Sequence, residues 1–260
     1  MSERGEAERT AGDAAGSDRF FIDSLPLGEG VFELSGTEAA HAAGSRRLRE
    51  GDSITLFDGS GWDLIARIVK ASPKSLTLES ASRIHVGPPT AVPIACMTAL
   101  PKGARDDTLI SLCAQMGISR VIPVEFARSV VHATEHWDRR KERFRRLAIE
   151  AAKQSGASTV MEVVEPTTFA NALRASSGLK LLGVPQAPHG IIAALESAWP
   201  FADVAFLVGA EGGMTDSEVT EAVAAGWQAV RISTTILRVE TACVAFASVI
   251  AAFLAGRGKA

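Results

Sequence analysis

Cysteine is scarce. The 260 residues carry three, Cys96, Cys113 and Cys243, far apart and at no metal-ligand spacing. They read as buried thiols of a reducing compartment, not as a disulfide framework. Five scattered histidines give no reason to expect zinc. Net basic charge is missing too. Twenty-seven Lys and Arg face 30 Asp and Glu, for a formal charge of -3. Without a global basic field, any nucleic-acid contact must rest on local patches. A long apolar run is also absent. The longest, Thr241 to Gly256, is shorter than the ~20 residues a membrane span requires. With Arg238 and Glu240 at its entrance, it reads as a buried helix. Met1 to Asp18 has no apolar core and is rich in Ala, Gly, Glu and Ser. Residues 1–18 are therefore expected to be a disordered tail and not a secretory signal. The expectation is a cytoplasmic protein with no membrane span and no metal.

What is present is ordinary for a soluble chain able to bury a full core: 47% apolar and 22% charged residues. The length allows one large domain or two small ones. Arg19 to Ile84 is strand-like, with β-prone runs at 31–34, 53–57, 64–69 and 75–78. The turn sequences Asp58-Gly59-Ser60-Gly61 and Ser72-Pro73-Lys74 separate them, and the first predicts a hairpin. Thr37 to Arg49 interrupts as a helix, with Thr37 a candidate N-cap and Arg46, Arg47 and Arg49 crowding its end. The pattern suggests a small β-barrel with one helix. Gly87-Pro88-Pro89 reads as a linker, since consecutive prolines suit neither strand nor helix. Beyond it, strands at 92–99, 120–124, 179–184, 202–208 and 229–232 alternate with helices at 106–117, 137–155, 217–225 and 240–255. That alternation predicts a parallel sheet covered on both faces.

Two segments near the C-terminus carry chemistry. Gly209-Ala210-Glu211-Gly212-Gly213 follows an apolar strand and precedes Thr215-Asp216-Ser217-Glu218, a capping signal. Ligands of open α/β sheets bind beyond the carboxyl ends of strands. The loop lacks both the dinucleotide glycine fingerprint and the Gly-Lys-Ser/Thr of a P-loop, which disfavours phosphate cradling. Its glycines permit backbone approach to a flat ligand such as adenosine, although a tight turn with an incidental Glu explains it as well. Ile236-Leu237-Arg238-Val239-Glu240-Thr241-Ala242 places an Arg and a Glu at the head of an apolar helix. Charges there are paired with each other at the helix start, or used. The basic run Trp137 to Arg146 is a solvated face or a phosphate stripe, and Lys102-Gly103-Ala104-Arg105 is a polar strand-to-helix loop near the same sheet edge.

Taken in order, these pieces resemble the RsmE family of SPOUT methyltransferases. The resemblance runs from Arg19-Phe20-Phe21 through His41, Arg47-Leu48-Arg49-Glu50-Gly51-Asp52, Leu56-Phe57-Asp58-Gly59 and Pro101-Lys102-Gly103. It continues through Met116-Gly117-Ile118, Ala151-Ala152-Lys153-Gln154-Ser155 and the two C-terminal segments. It implies residues 19–88 as a PUA-like RNA-binding barrel and 89–260 as a SPOUT α/β domain threaded as a trefoil knot. It implies methylation of N3 of a uridine in small-subunit (16S) ribosomal RNA, with S-adenosyl-L-methionine as cofactor, by a homodimer. The cofactor would lie against Leu182, Gly183, Val208, Gly209, Ala210, Glu211, Gly212, Gly213, Ile232, Ser233, Ile236 and Leu237. Arg238, Glu240 and Glu211 would be the catalytic groups. Arg238 would act on a uracil carbonyl oxygen, with Glu240 orienting it or Glu211 accepting the proton. Arg19, Arg46, Arg47, Arg49, Lys102 and Arg105 would meet RNA. The chain departs from the family's usual residues at Leu112, Gln115, Ala157, Ala210, Ile232-Ser233, Thr235 and Val239. These departures keep open a different RNA target, or an inactive RNA-binding or ribosome-assembly protein of the same fold.

Overall fold

The computed structural model describes residues 18–44, 48–90, 92–174 and 178–257. The expected tail, Arg46 and Arg47 lie outside them, Asp18 excepted. The described residues form two compact units, 18–87 with 155–159, and 88–154 with 160–257.

In the first unit, β1 (Arg19–Phe21), β2 (Val31–Ser35), α1 (Thr37–Gly44), β3 (Ser53–Phe57), β4 (Trp62–Ala71) and β5 (Ser75–His85) follow in order. The sheet runs β1-β3-β4-β5-β2. Only β1–β3 is parallel. Among the described residues, β1 and β2 end this ladder without pairing with each other. The core is apolar: Phe20, Ile54, Leu56, Leu64, Ile68, Leu76 and Leu78 are all buried. Strands β4 and β5 outrun the alternation seen in the sequence because their ladder shifts register at Ile65/Ala66 and Ile68/Lys70. Each shift breaks the period of two on which a sequence reading depends.

The predicted hairpin joins β3 to β4, and Asp58 shapes it. Its Oδ1 accepts from the Ser60 N–H at 3.0 Å and its Oδ2 from the Leu25 N–H at 3.1 Å. Burial works to raise the Asp58 carboxyl, but hydrogen bonds from the Ser60 hydroxyl, Leu25 N–H and Ser60 N–H outweigh it and hold the group below its ordinary range. Arg19 is the second fastener. It forms a two-pronged pair with Asp63 at 2.7 and 3.0 Å, and donates to the Ala157 carbonyl at 3.2 Å and the Ser158 hydroxyl at 3.3 Å. Its side chain is 5% exposed and that of Asp63 4%. The guanidinium also lies 5.0 Å from the Phe57 ring centroid.

The second unit contains β6 (Ile94–Thr98), α2 (Arg105–Gln115), β7 (Arg120–Glu125), α3 (Trp137–Ser155), β8 (Glu162–Val163) and β9 (Thr167–Thr168). It continues with α4 (Phe169–Ala172), β10 (Leu179–Gly183), α5 (Ile191–Ala198), β11 (Val204–Val208), α6 (Asp216–Ala224), β12 (Gln228–Val230) and α7 (Val239–Ala255). The sheet order is β12-β10-β11-β6-β7-β8, with β9 against β7, and all these pairings are parallel. Every residue of β6 and of β11 is buried, as expected for central strands covered on both faces. The three cysteines converge in this core, on β6, α2 and α7, and all are buried. Burial, then hydrogen bonding to Cys113 and Cys243, pushes the Cys96 thiol well above its ordinary range. Gly117 ends α2 as expected: at φ +77° it lets the Ile118 N–H reach the Cys113 carbonyl at 3.2 Å.

Arg19→Ala strands a buried carboxylate. Unfolding of the full chain in denaturant is expected to show a loss of about 3–5 kcal/mol, whereas replacing both Arg19 and Asp63 by apolar residues costs far less. A second expectation concerns acid. The stabilisation contributed by Asp58 is present above the ordinary aspartate range and lost as pH falls through its lowered value. Thermal unfolding of Asp58→Asn should therefore depend less on pH below about 4 than that of the parent.

Candidate cofactor and RNA site

Strands β12, β10, β11 and β6 are neighbours and run parallel, so their carboxyl ends, at Val230, Gly183, Val208 and Thr98, share one sheet edge. The segments leaving them interlace. The Val184 N–H donates to the Val230 carbonyl at 3.0 Å, the Arg231 N–H to His189 at 2.9 Å, and the Ile191 N–H to Arg231 at 3.1 Å. Space is tight at Gly183. A Cβ there would stand 3.1 Å from Phe246 Cε2 and 3.3 Å from the Leu207 carbonyl oxygen. Phe246 itself stacks on Phe206, with ring centroids 5.2 Å apart.

The Gly209–Gly213 loop is fixed from several sides. The Gly213 N–H closes a turn on the Ala210 carbonyl at 2.8 Å, with Gly213 at φ +72°. A Cβ on Gly209 would lie 2.7 Å from Met214 Cγ. Arg128 donates to the Gly212 carbonyl at 3.0 Å. The predicted capping box is present: the Glu218 N–H donates to Thr215 Oγ1 at 3.2 Å, and the Thr215 N–H to Glu218 Oε2 at 2.7 Å. Glu218 does more than cap. Its Oε1 accepts from the Ala127 N–H at 2.8 Å, tying the loop after β7 to the head of α6. Nothing in the spacing of Ala127 and Glu218 signals this latch, because its two halves are 91 residues apart.

The charged candidates part ways. Glu211 forms an ion pair with Arg105, each side chain about one-third exposed. A residue expected in the chemistry is thus partnered with one expected on RNA. Arg238 stands at the N-cap of α7, exposed and without a partner among the described residues. Glu240 is 8% exposed, and its Oε2 is buried with no hydrogen-bond partner. Of the two readings open for Arg238 and Glu240, the helix-start pair is therefore not formed. Ile236 is 83% exposed. The Ser233 hydroxyl accepts from the Thr235 N–H at 3.1 Å, turning that loop. Leu182 is fully buried in the apolar core, so only its backbone faces the edge. Ile232 and Leu237 are half-buried, and Val208 and Ala210 are buried.

Of the residues expected on RNA, Arg19 is corrected. Its guanidinium is buried and committed to Asp63, and so is withheld from any phosphate. Arg49 and Lys102 are exposed. The basic run on α3 is partly neutralised. Arg143 donates to Asp106 Oδ2 at 2.7 Å and pairs with Asp107 at 2.9 Å, and Lys141 pairs with Glu165. Desolvation raises the Asp106 carboxyl, against the pull of Arg143. Among the described residues no cluster of His, Cys, Asp and Glu is arranged to hold a metal, and no helix is long and apolar enough to cross a membrane.

Residues 88–251 match the family model of an RNA methyltransferase domain, and 34–79 that of an RNA methyltransferase PUA domain. The chain belongs to this RNA methyltransferase family. The resemblance drawn from its ordered motifs is thereby borne out. Ribosomal RNA small subunit methyltransferase E from Synechocystis is 31% identical over 75% of the chain and 64% of its own length. The Mycobacterium bovis protein of that name is 29% identical over 86% and 87%. A methyltransferase E from Neisseria gonorrhoeae, solved bound to S-adenosyl methionine, superposes with TM-score 0.81 at 26% identity, covering 91% of this chain and 98% of that one. A methyltransferase from Legionella pneumophila gives the same TM-score at 24% identity and shares the fold.

Glu218→Ala removes a cap and the anchor of the Ala127 N–H together. About 2–3 kcal/mol of stability should be lost. Faster hydrogen exchange in residues 126–129 and 209–215, read by mass spectrometry, distinguishes this latch from a cap alone.

Proposed function

We propose that the protein methylates N3 of a uridine in small-subunit ribosomal RNA with S-adenosyl-L-methionine, as a cytoplasmic homodimer. In this reading residues 19–88 form the RNA-binding PUA-like part and 89–260 a knotted SPOUT domain. Membership of the family supports the class of reaction, as does the Neisseria gonorrhoeae relative bound to that cofactor. The sheet edge fits such a ligand. It offers backbone from Gly183, Gly209–Gly213 and Ile232–Leu237, tight spacing at Gly183 and Gly209, and a buried carboxylate oxygen lacking a donor. In support of the dimer, α7 is mostly apolar and leaves Ala242, Val249 and Phe253 only partly buried within one chain.

The bound cofactor supplies an electrophilic methyl group. The chain must present uracil N3, which is engaged when the base is paired, so an unpaired or extruded uridine is required. The single observation that carries the assignment is the state of Arg238: at the mouth of the edge, charged, exposed and unpartnered. Its guanidinium is free to stabilise the negative charge that gathers on a uracil carbonyl oxygen as N3 loses its proton. Glu240, with an unpartnered Oε2, is the acceptor for that proton or for an N–H or O–H of the ligands. Glu211 is held by Arg105 and stays in the loop wall.

Labelled methyl transfer to unmethylated small ribosomal subunits is expected from the parent protein. Arg238→Ala should lower the rate by about 100- to 1,000-fold. Calorimetric cofactor affinity should change little. Undiminished turnover by this variant would remove Arg238 from the mechanism, and absence of transfer by the parent would refute the function.

A further inference from the structure

Trp62 opens β4 and stands directly across the ladder from His85, near the end of β5. The two rings lie 4.7 Å apart at 60°. Arg83, two residues before His85 and so on the same face of β5, places its guanidinium 4.9 Å from the Trp62 ring centroid. Trp62 is packed on one side against the core of its unit and is otherwise half-buried, while Arg83 and His85 are exposed. None of the three side chains has a hydrogen bond or an acidic partner among the described residues. The contrast with Trp227 is direct: that indole is fully buried and donates to the Leu173 carbonyl at 3.3 Å. The nearest carboxylate in sequence, Asp63, points to the opposite face and is committed to Arg19.

A cation, an indole and an imidazole side by side, with the cation's N–H fork unused, suit one class of ligand. An unpaired nucleotide stacks its base on aromatic and guanidinium planes, and its phosphate takes the free fork. We infer that Trp62, Arg83 and His85 form a stacking platform for single-stranded RNA on the first unit, separate from the residues of the cofactor loops. The inference rests on the proposed action on RNA and names how the PUA-like part would hold an unpaired strand. Duplex RNA offers no splayed base to such a platform, so the preference for single strands is its signature.

The test uses the full chain with an oligouridylate and with a duplex RNA of equal length. The single strand should quench part of the tryptophan fluorescence saturably, and Trp62→Phe should abolish that quenching while keeping most of the affinity. Trp62→Ala and Arg83→Ala should each weaken single-strand binding by about tenfold or more and leave cofactor affinity unchanged. Trp62→Phe and Arg83→Ala keep the test open should Trp62→Ala fail to fold, which thermal unfolding reports. Unchanged single-strand affinity in folded variants overturns the platform, as does duplex binding of equal strength. If that result comes with normal methyl transfer to ribosomal subunits, only the platform falls. If the protein neither binds RNA nor transfers methyl groups, the proposed function falls with it.

Discussion

Burial of β6 and β11 along their whole length is the constraint on which the rest of the second unit depends. Strands covered on both faces can present polar backbone only where they end. In this sheet the order β12-β10-β11-β6 brings their ends and those of two flanking strands together at one edge. The loops that leave them then lie within reach of one another. The exchange of hydrogen bonds between residues 184–191 and 230–231 follows from that proximity. So does the tight space at Gly183, where a Cβ would press on Phe246 and the Leu207 carbonyl.

Charge is arranged against this apolar frame by pairing. Glu211 is matched by Arg105, Asp106 and Asp107 by Arg143, and Asp63 by Arg19. Glu218 is spent on three backbone and side-chain donors. Two groups at the head of α7 stay outside this scheme: Arg238, exposed, and the Oε2 of Glu240, buried. A buried acceptor without a donor costs stability unless a ligand supplies one. These two groups are the ones the proposed function assigns to the chemistry.

Much of this was legible in the sequence, for identifiable reasons. The alternation of short apolar runs with longer helical stretches after Gly87 pointed to the parallel sheet, because strands buried on both faces read as unbroken apolar runs. The capping box at Thr215 and Glu218 was readable because its parts are three residues apart. The ordered motifs named the family before any geometry was known. Elements with no measurable period escaped: β8 and β9 are two residues each, α4 is four and α5 eight. The bulges of β4 and β5 hid half of β5. Long-range partnerships were invisible as well. The resemblance placed Arg19 on RNA; its burial against Asp63, 44 residues away, leaves no trace in local sequence. The Arg105–Glu211 pair crossed two roles that had been assigned separately.

The position of the transferred methyl group tests the central claim most directly. After reaction with small ribosomal subunits and labelled cofactor, the modified RNA can be digested and the labelled nucleoside identified by mass spectrometry. Primer extension on the same RNA then locates it, since a methyl group on N3 blocks Watson–Crick pairing. The account predicts a single labelled uridine, methylated at N3, where extension stops. A label on another base, on another atom of uridine or on ribose would contradict it.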